Sequence, residues 1–133
     1  MPPNRTPTRT PIVSALAANG IGTTVNVRDF KNVMMQLSTA SNADMTIKIQ
    51  GSLQELAPTF SSSASGTNHW DFIGVYDLNG GGFVAGSTGF APGGVDIVKN
   101  LLVNVDGINW LNIVVSNYVA GNMSATAVMY TNQ

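Results

Sequence analysis

The sequence lacks cysteine and contains a single histidine among its 133 residues. The missing cysteine excludes disulfide bonds, thiolate metal ligands and thiol nucleophiles, and one histidine is too few for a multi-histidine zinc centre. We therefore expect no metal site, no cofactor and no cysteine-based catalysis.

Charge is also scarce. Charged residues make up 10% of the chain, against about 25% in an ordinary soluble domain, and the formal net charge is −1. This balance gives no electrostatic reason to expect a nucleic acid or an anionic membrane as a partner. No apolar run approaches the ~18 to 20 residues that cross a bilayer.

Small and uncharged polar residues take the place of charge, since Gly, Asn, Thr and Ser together fill 51 positions. Apolar residues alternate with polar ones along several short segments, most clearly over residues 45–50, which predicts strands with one buried face. Turn-type residues at 41–44, 79–82, 106–107 and 117–122 predict hairpin turns between them. The pattern indicates an all-β fold, a two-sheet antiparallel sandwich of jelly-roll type with about seven or eight short strands.

The first eleven residues hold four of the six prolines and two of the six cations. We interpret residues 1–21 as an extended N-terminal arm and lead-in, and residues 22–133 as the β-sandwich domain. A secretory leader is the alternative, because Arg5 and Arg9 precede the apolar residues 12–18. That run is only seven residues long and Ser14 interrupts it, which favours the arm.

Carboxylates that could take part in chemistry are isolated along the sequence. His69 and Asp71 share one face of a predicted strand, but no nucleophile or metal ligand accompanies them, so we expect a hydrogen bond that ties the end of a loop. Asp77 begins like a calcium loop but lacks the later ligands and is predicted to cap a turn. Asp96 is expected to be a solvated turn residue. We therefore predict no catalytic residues and no enzyme.

Two aromatic residues, Phe83 and Phe90, lie in glycine-rich segments where core burial is harder to provide. Exposed aromatic side chains on loops mark contact surfaces. The candidate interface residues are therefore Phe83 and Phe90, together with Arg5 and Arg9 of the arm. Burial of the two rings beneath the sheet stays open as the alternative.

Order and spacing of several motifs give the sequence a family likeness. Over about residues 22–131 the chain resembles a group of small tailed-bacteriophage virion proteins. The motifs that carry the resemblance are Gly51-Ser52, Ala57-Pro58-Thr59-Phe60-Ser61, Asn68-His69-Trp70-Asp71-Phe72, Asp77-Leu78, Gly86-Ser87-Thr88-Gly89 and Val103-Asn104-Val105-Asp106-Gly107-Ile108-Asn109-Trp110-Leu111.

The resemblance implies a non-enzymatic β-sandwich subunit of the virion, a decoration or cement protein that stabilises the head. Its expected partners are the major capsid protein and its own copies, often as a homotrimer, with no nucleic acid and no membrane. It would be made in the host cytoplasm and lie on the outer capsid surface. The N-terminal arm is not part of the resemblance.

Two other classes of function stay open at this point. A carbohydrate-binding or adhesion sandwich on a phage tail or fibre would need at least two coplanar exposed aromatic rings beside Asn and Asp. A hydrolase or a secreted lectin-like domain would follow if the N-terminal residues were a leader.

Overall fold

A computed structural model describes residues 7–62 and 69–130 and shows an all-β protein, as the sequence predicts. Within these residues there is no helix, and so none that could span a membrane. Nine antiparallel strands join into one continuous sheet. The strands are β1 Pro7–Leu16, β2 Gly20–Ile21, β3 Val25–Asn26, β4 Asn32–Ser52, β5 Asp71–Phe72, β6 Val75–Asp77, β7 Gly82–Val84, β8 Val98–Asn104 and β9 Trp110–Tyr130.

Two strands of 21 residues, β4 and β9, run antiparallel through the whole sheet. Their register extends from the pair Met34 and Val128 to the pair Ser52 and Trp110, with shifts between Ala40 and residue 46. These shifts mark a corner that divides the sheet into two layers. The first layer has the order β1-β9-β4-β8-β6-β7, and in the second β2 and β3 flank β9 while β5 flanks β4.

The same face of β4 and β9 points inward on both sides of the corner. The side chains of the core cluster occupy odd positions on both strands, which are residues 33, 35, 37, 45, 47 and 49 of β4 and residues 111, 113, 115, 123, 125 and 127 of β9. Because strand side chains alternate between faces, the bent sheet encloses one core between its two layers. The fold is thus sandwich-like, although two of the strands are far longer than the short ones predicted.

Two of the predicted turns, at residues 41–44 and 117–122, are corners inside continuous strands and not hairpins. Ser41, Asn42 and Asn117 have positive φ there, which explains their turn-like residue types. Asp96 fixes the β4 corner by accepting hydrogen bonds from the amide groups of Asn42 and Ala43, at 3.3 and 3.1 Å. Asp96 is exposed, as expected of a solvated carboxylate, and it also has this structural role, which the sequence did not predict.

The predicted hairpin at Asp106 and Gly107 is a turn that changes layers. It follows β8 and precedes β9, but β4 lies between these two strands in the sheet. Val105 donates its amide hydrogen to Lys31 in the first layer, and Asn109 donates to Ser52 in the second. The sequence identifies the turn, but nothing local specifies that the next strand pairs in the other layer.

Residues 7–16, interpreted above as part of an arm, are extended and belong to the sheet. They form β1 along the C-terminal half of β9, where Pro7 lies opposite Tyr130 and Leu16 opposite Met123. Ile12 and Val13 are buried in the core. Residues 1–6 of the expected arm lie outside the described residues.

Replacing Gly121 by alanine should destabilise the corner. Gly121 has φ +81°, and an added Cβ would lie 2.5 Å from the Cα atom of Ala43 on the other long strand. The left-handed backbone strain of an alanine at this position and the clash with Ala43 should together lower the free energy of unfolding by about 1–3 kcal/mol. Gly107→Ala is the matched control, because its φ is +86° with nothing within 4 Å. If urea denaturation showed that Gly121→Ala and Gly107→Ala lose the same free energy of unfolding, the close packing of the two corners would be contradicted.

Ile12→Ala should show that β1 is part of the core. The substitution removes a buried side chain and should cost about 2–4 kcal/mol of unfolding free energy. Thr8→Ala, at an exposed position of the same strand, should change the stability little. A negligible effect of Ile12→Ala in the same denaturation experiment would mean that β1 is peripheral.

Candidate functional site

The outward surface of the first layer, here called the outer face, is almost free of charge. It consists of the side chains that alternate with the core positions on the strands of that layer. Among the described residues at these positions, Arg9 is the one charged residue. The outer face comprises Pro7, Arg9, Pro11, Asn32, Met34, Gln36, Ser38, Tyr76, Phe83, Val98, Asn100, Leu102, Asn104, Ser124, Thr126, Val128 and Tyr130. Val128 lies at an outer-face position of β9 but is itself buried.

One cross-strand row of the outer face is apolar along nearly its whole length. Strand register places six residues side by side from the β7 edge to the β1 edge of the layer. Five strand spacings separate the two ends, about 24 Å in all. The row, in order, is Phe83, Tyr76, Leu102, Met34, Val128 and Arg9.

An exposed aromatic pair forms one end of this row. The rings of Tyr76 and Phe83 lie 5.4 Å apart at 65°, and the two residues are 51% and 61% exposed. Phe83 lies directly over Gly74, where an added Cβ would come within 2.1 Å of the ring. Gly74 and Tyr76 thus position the Phe83 ring while most of its surface faces solvent. A ring held in place loses little conformational entropy when a partner covers it.

Asp77 stabilises the hairpin that carries the aromatic pair. Its carboxylate accepts a hydrogen bond from Lys99 Nζ at 3.0 Å and lies in reach of the amide groups of Asn79 and Gly80. The hydrogen bond from the Lys99 ammonium is the main reason why the pKa of Asp77 is lowered, and these backbone amides lower it further. Asp77 therefore caps a turn, as the sequence predicts.

Arg9 forms the other end of the row, on β1. It is exposed and borders a shallow depression of about 180 Å³ whose walls include Met34, Gln36, Val128 and Tyr130. In the part of the chain that the structure describes, the ion pair is that of Lys99 with Asp77, so no carboxylate neutralises Arg9. The guanidinium is available to a partner.

The predicted interface residues have different positions in the structure. Arg9 and Phe83 lie on the same face at opposite edges. Phe90 is only 8% exposed and belongs to the core, where its backbone exchanges two 2.8 Å hydrogen bonds with Ile47. It is therefore not an exposed contact, whereas Arg5 lies outside the described residues.

The residues in the middle of the row were not among the interface residues predicted from the sequence. Met34, Leu102 and Val128 each stand between two buried apolar residues of the same strand. The signal was present in the sequence, because three consecutive apolar residues in a strand place one of them on the outer face.

Part of the outer surface of the second layer is covered by a loop of the chain. Gln50 is fully buried there and donates to the carbonyl of Ser61, while the ring of Trp70 packs between Phe60 and Phe72. The second layer thus has a third layer of loop packed on it. The outer face of the first layer has no such cover among the described residues.

His69 takes part in fixing this loop through its main chain. Ser52 Oγ donates to the His69 carbonyl, and the His69 amide donates to Gln54 Oε1 at 3.3 Å. Asp71 accepts a hydrogen bond from the amide of Phe72. Within residues 7–62 and 69–130, no three His, Cys, Asp or Glu side chains come together in a way that could hold a metal ion.

Comparison with known proteins gives a likeness of fold. No family model matches the sequence, and no curated protein matches it. The crystal structure of the SPBc2 prophage-derived protein YomS superposes with a TM-score of 0.72 at 10% sequence identity, over 98% of this chain and 97% of that one. The two proteins share a fold along nearly their whole lengths.

Asp77→Asn should destabilise the protein at neutral pH and not in acid. Because the folded-state pKa is lowered, the carboxylate contributes stability above the ordinary pKa of 3.8, and this contribution is lost as the pH falls through the folded-state value. Melting temperatures of wild type and variant, measured from pH 7 to about 2.5, should converge at the acid end. Asp106→Asn, in the exposed turn before β9, is the control, and its melting temperature should follow that of wild type across the whole pH range. A constant difference across the pH range would contradict the role of the charge.

Proposed function

We propose that this protein is a non-enzymatic structural component of a bacteriophage particle, a decoration or cement protein. It binds the outer surface of the capsid lattice and its own copies, and so stabilises the head against the pressure of the packaged genome. The observation that carries the proposal is the outer face, which is almost free of charge and carries an exposed aromatic pair.

The chemistry of this face suits repeated protein contacts. Interface centres are depleted in charge and enriched in aromatic residues, Met and Arg, and the row combines Tyr76, Phe83, Met34 and Arg9. A neutral surface also produces little repulsion between identical copies held at high local concentration. Such a surface favours a subunit that lies beside its own copies on a shell.

A phage origin has two supports. The sequence motifs resemble small tailed-bacteriophage virion proteins, and the fold is shared with a prophage-derived protein. The resemblance also supports the capsid surface as the place of action and the major capsid protein as partner.

The geometry of the rings does not favour carbohydrate stacking. A sugar-binding platform would need coplanar exposed aromatic rings, but Tyr76 and Phe83 are inclined at 65° to each other. The Phe60, Trp70 and Phe72 cluster is packed within the loop layer, with Phe60 and Trp70 buried.

Binding to phage heads tests the proposal. Heads of the phage that encodes this chain, prepared without it, are mixed with the purified protein and sedimented. Wild type should bind and raise the temperature at which the heads release DNA. Tyr76→Ser/Phe83→Ser should bind at least about tenfold more weakly, a loss of roughly 1.4 kcal/mol.

Leu53→Ser/Leu56→Ser is the matched control, because it also replaces two exposed apolar residues but away from the outer face. It should bind as wild type does. Failure of the wild-type protein to bind heads, or binding to isolated tails instead, would refute the capsid role.

A further inference from the structure

We propose that copies of this chain associate head to tail, with the Arg9 guanidinium of one copy on the Tyr76 and Phe83 rings of the next. This inference rests on the self-association in the proposed function and names the contact that produces it. The two halves of the contact lie at the opposite ends of the apolar row.

The position of the two groups requires a second copy. Arg9 is on β1 and Phe83 on β7, and these strands are the two edges of the first layer. Across about 24 Å of sheet the groups cannot meet within one chain. Two complementary groups on different patches of one surface produce a heterologous contact, which closes into a ring when the rotation between copies allows it. A cyclic trimer is one such ring.

Arg9 and the aromatic pair are chemically complementary. A guanidinium is attracted to the face of an aromatic ring, more strongly where water is excluded. The other side chains of the outer face are uncharged, so no other charge on this face competes with the contact. Joining the β1 and β7 edges would also cover two strand edges that have no further strand beside them among the described residues, and such edges are prone to unspecific pairing.

The other described cations already have partners inside the chain. Arg28 lies 5.8 Å from the centroid of the Trp110 ring, Lys48 lies 4.9 Å from that of Phe72, and Lys99 pairs with Asp77. Lys31 is engaged as well. The fold thus uses cation and ring contacts twice internally and leaves Arg9 and one exposed ring pair at opposite edges.

A charge exchange tests the contact. Arg9→Glu removes the cation, and Phe83→Arg places two cations against each other, so each variant should weaken association at least tenfold. In Arg9→Glu/Phe83→Arg, the glutamate of one copy faces the arginine of the next. The double variant should therefore regain an association constant within about threefold of wild type, measured by sedimentation equilibrium.

Leu56→Arg is the control, since it places the same new charge at an exposed apolar site on the other side of the molecule. In sedimentation equilibrium, this variant should give an oligomer of the same size as wild type. Circular dichroism melts should show that all variants are folded. A monomeric wild type at ~100 µM, or a double variant as weak as the single ones, would overturn the inference. A monomer that still binds heads would overturn only this contact, whereas an oligomer that does not bind heads would refute only the capsid role.

Discussion

The pairing of β4 with β9 is the interaction on which the rest of the structure depends. Both strands continue through a corner, and both keep the same side-chain face inward before and after it. Because a slip of one residue would turn every core side chain outward, the corner has to preserve this alternation. Three local features preserve it. These are the hydrogen bonds that Asp96 accepts, the positive φ values of Ser41 and Asn42, and the close approach of Gly121 to Ala43.

This constraint also determines which surface is left for partners. The bent sheet has two outward surfaces, and the second layer's surface is packed under the loop that contains Phe60 and Trp70. The first layer's surface keeps an uncharged face, with an aromatic pair at one edge and Arg9 at the other. The scarcity of charge in the sequence is thus reflected in the outer face of the first layer. The proposed contacts with the capsid and with neighbouring copies are based on this face.

Short sequence patterns correctly predicted features that depend on neighbouring residues alone. The alternation over residues 45–50 correctly identified a strand with a buried apolar face, but it did not reveal that Gln50 on the polar face is buried too. The turn before Gly82 and the capping role of Asp77 were confirmed. Turn-type residues could not reveal whether a chain reverses or bends, since positive φ serves both purposes. The layer change after β8 and the pairing of residues 7–16 with β9 depend on contacts distant in sequence, and proline content alone suggested a free arm. The sequence left open whether Phe90 is exposed or buried for the same reason, because its partner Ile47 lies far away along the chain.

Amide hydrogen exchange measured by NMR tests most directly whether the two layers are one folded sheet around one core. Slowly exchanging amides of β4 and β9 on both sides of the corner, such as those of Met35 and Ile49, should exchange with the same free energy, equal to that of global unfolding. If one layer exchanged with a much lower free energy than the other, the layers would be separate cooperative units. The account of a single bent sheet would then be contradicted.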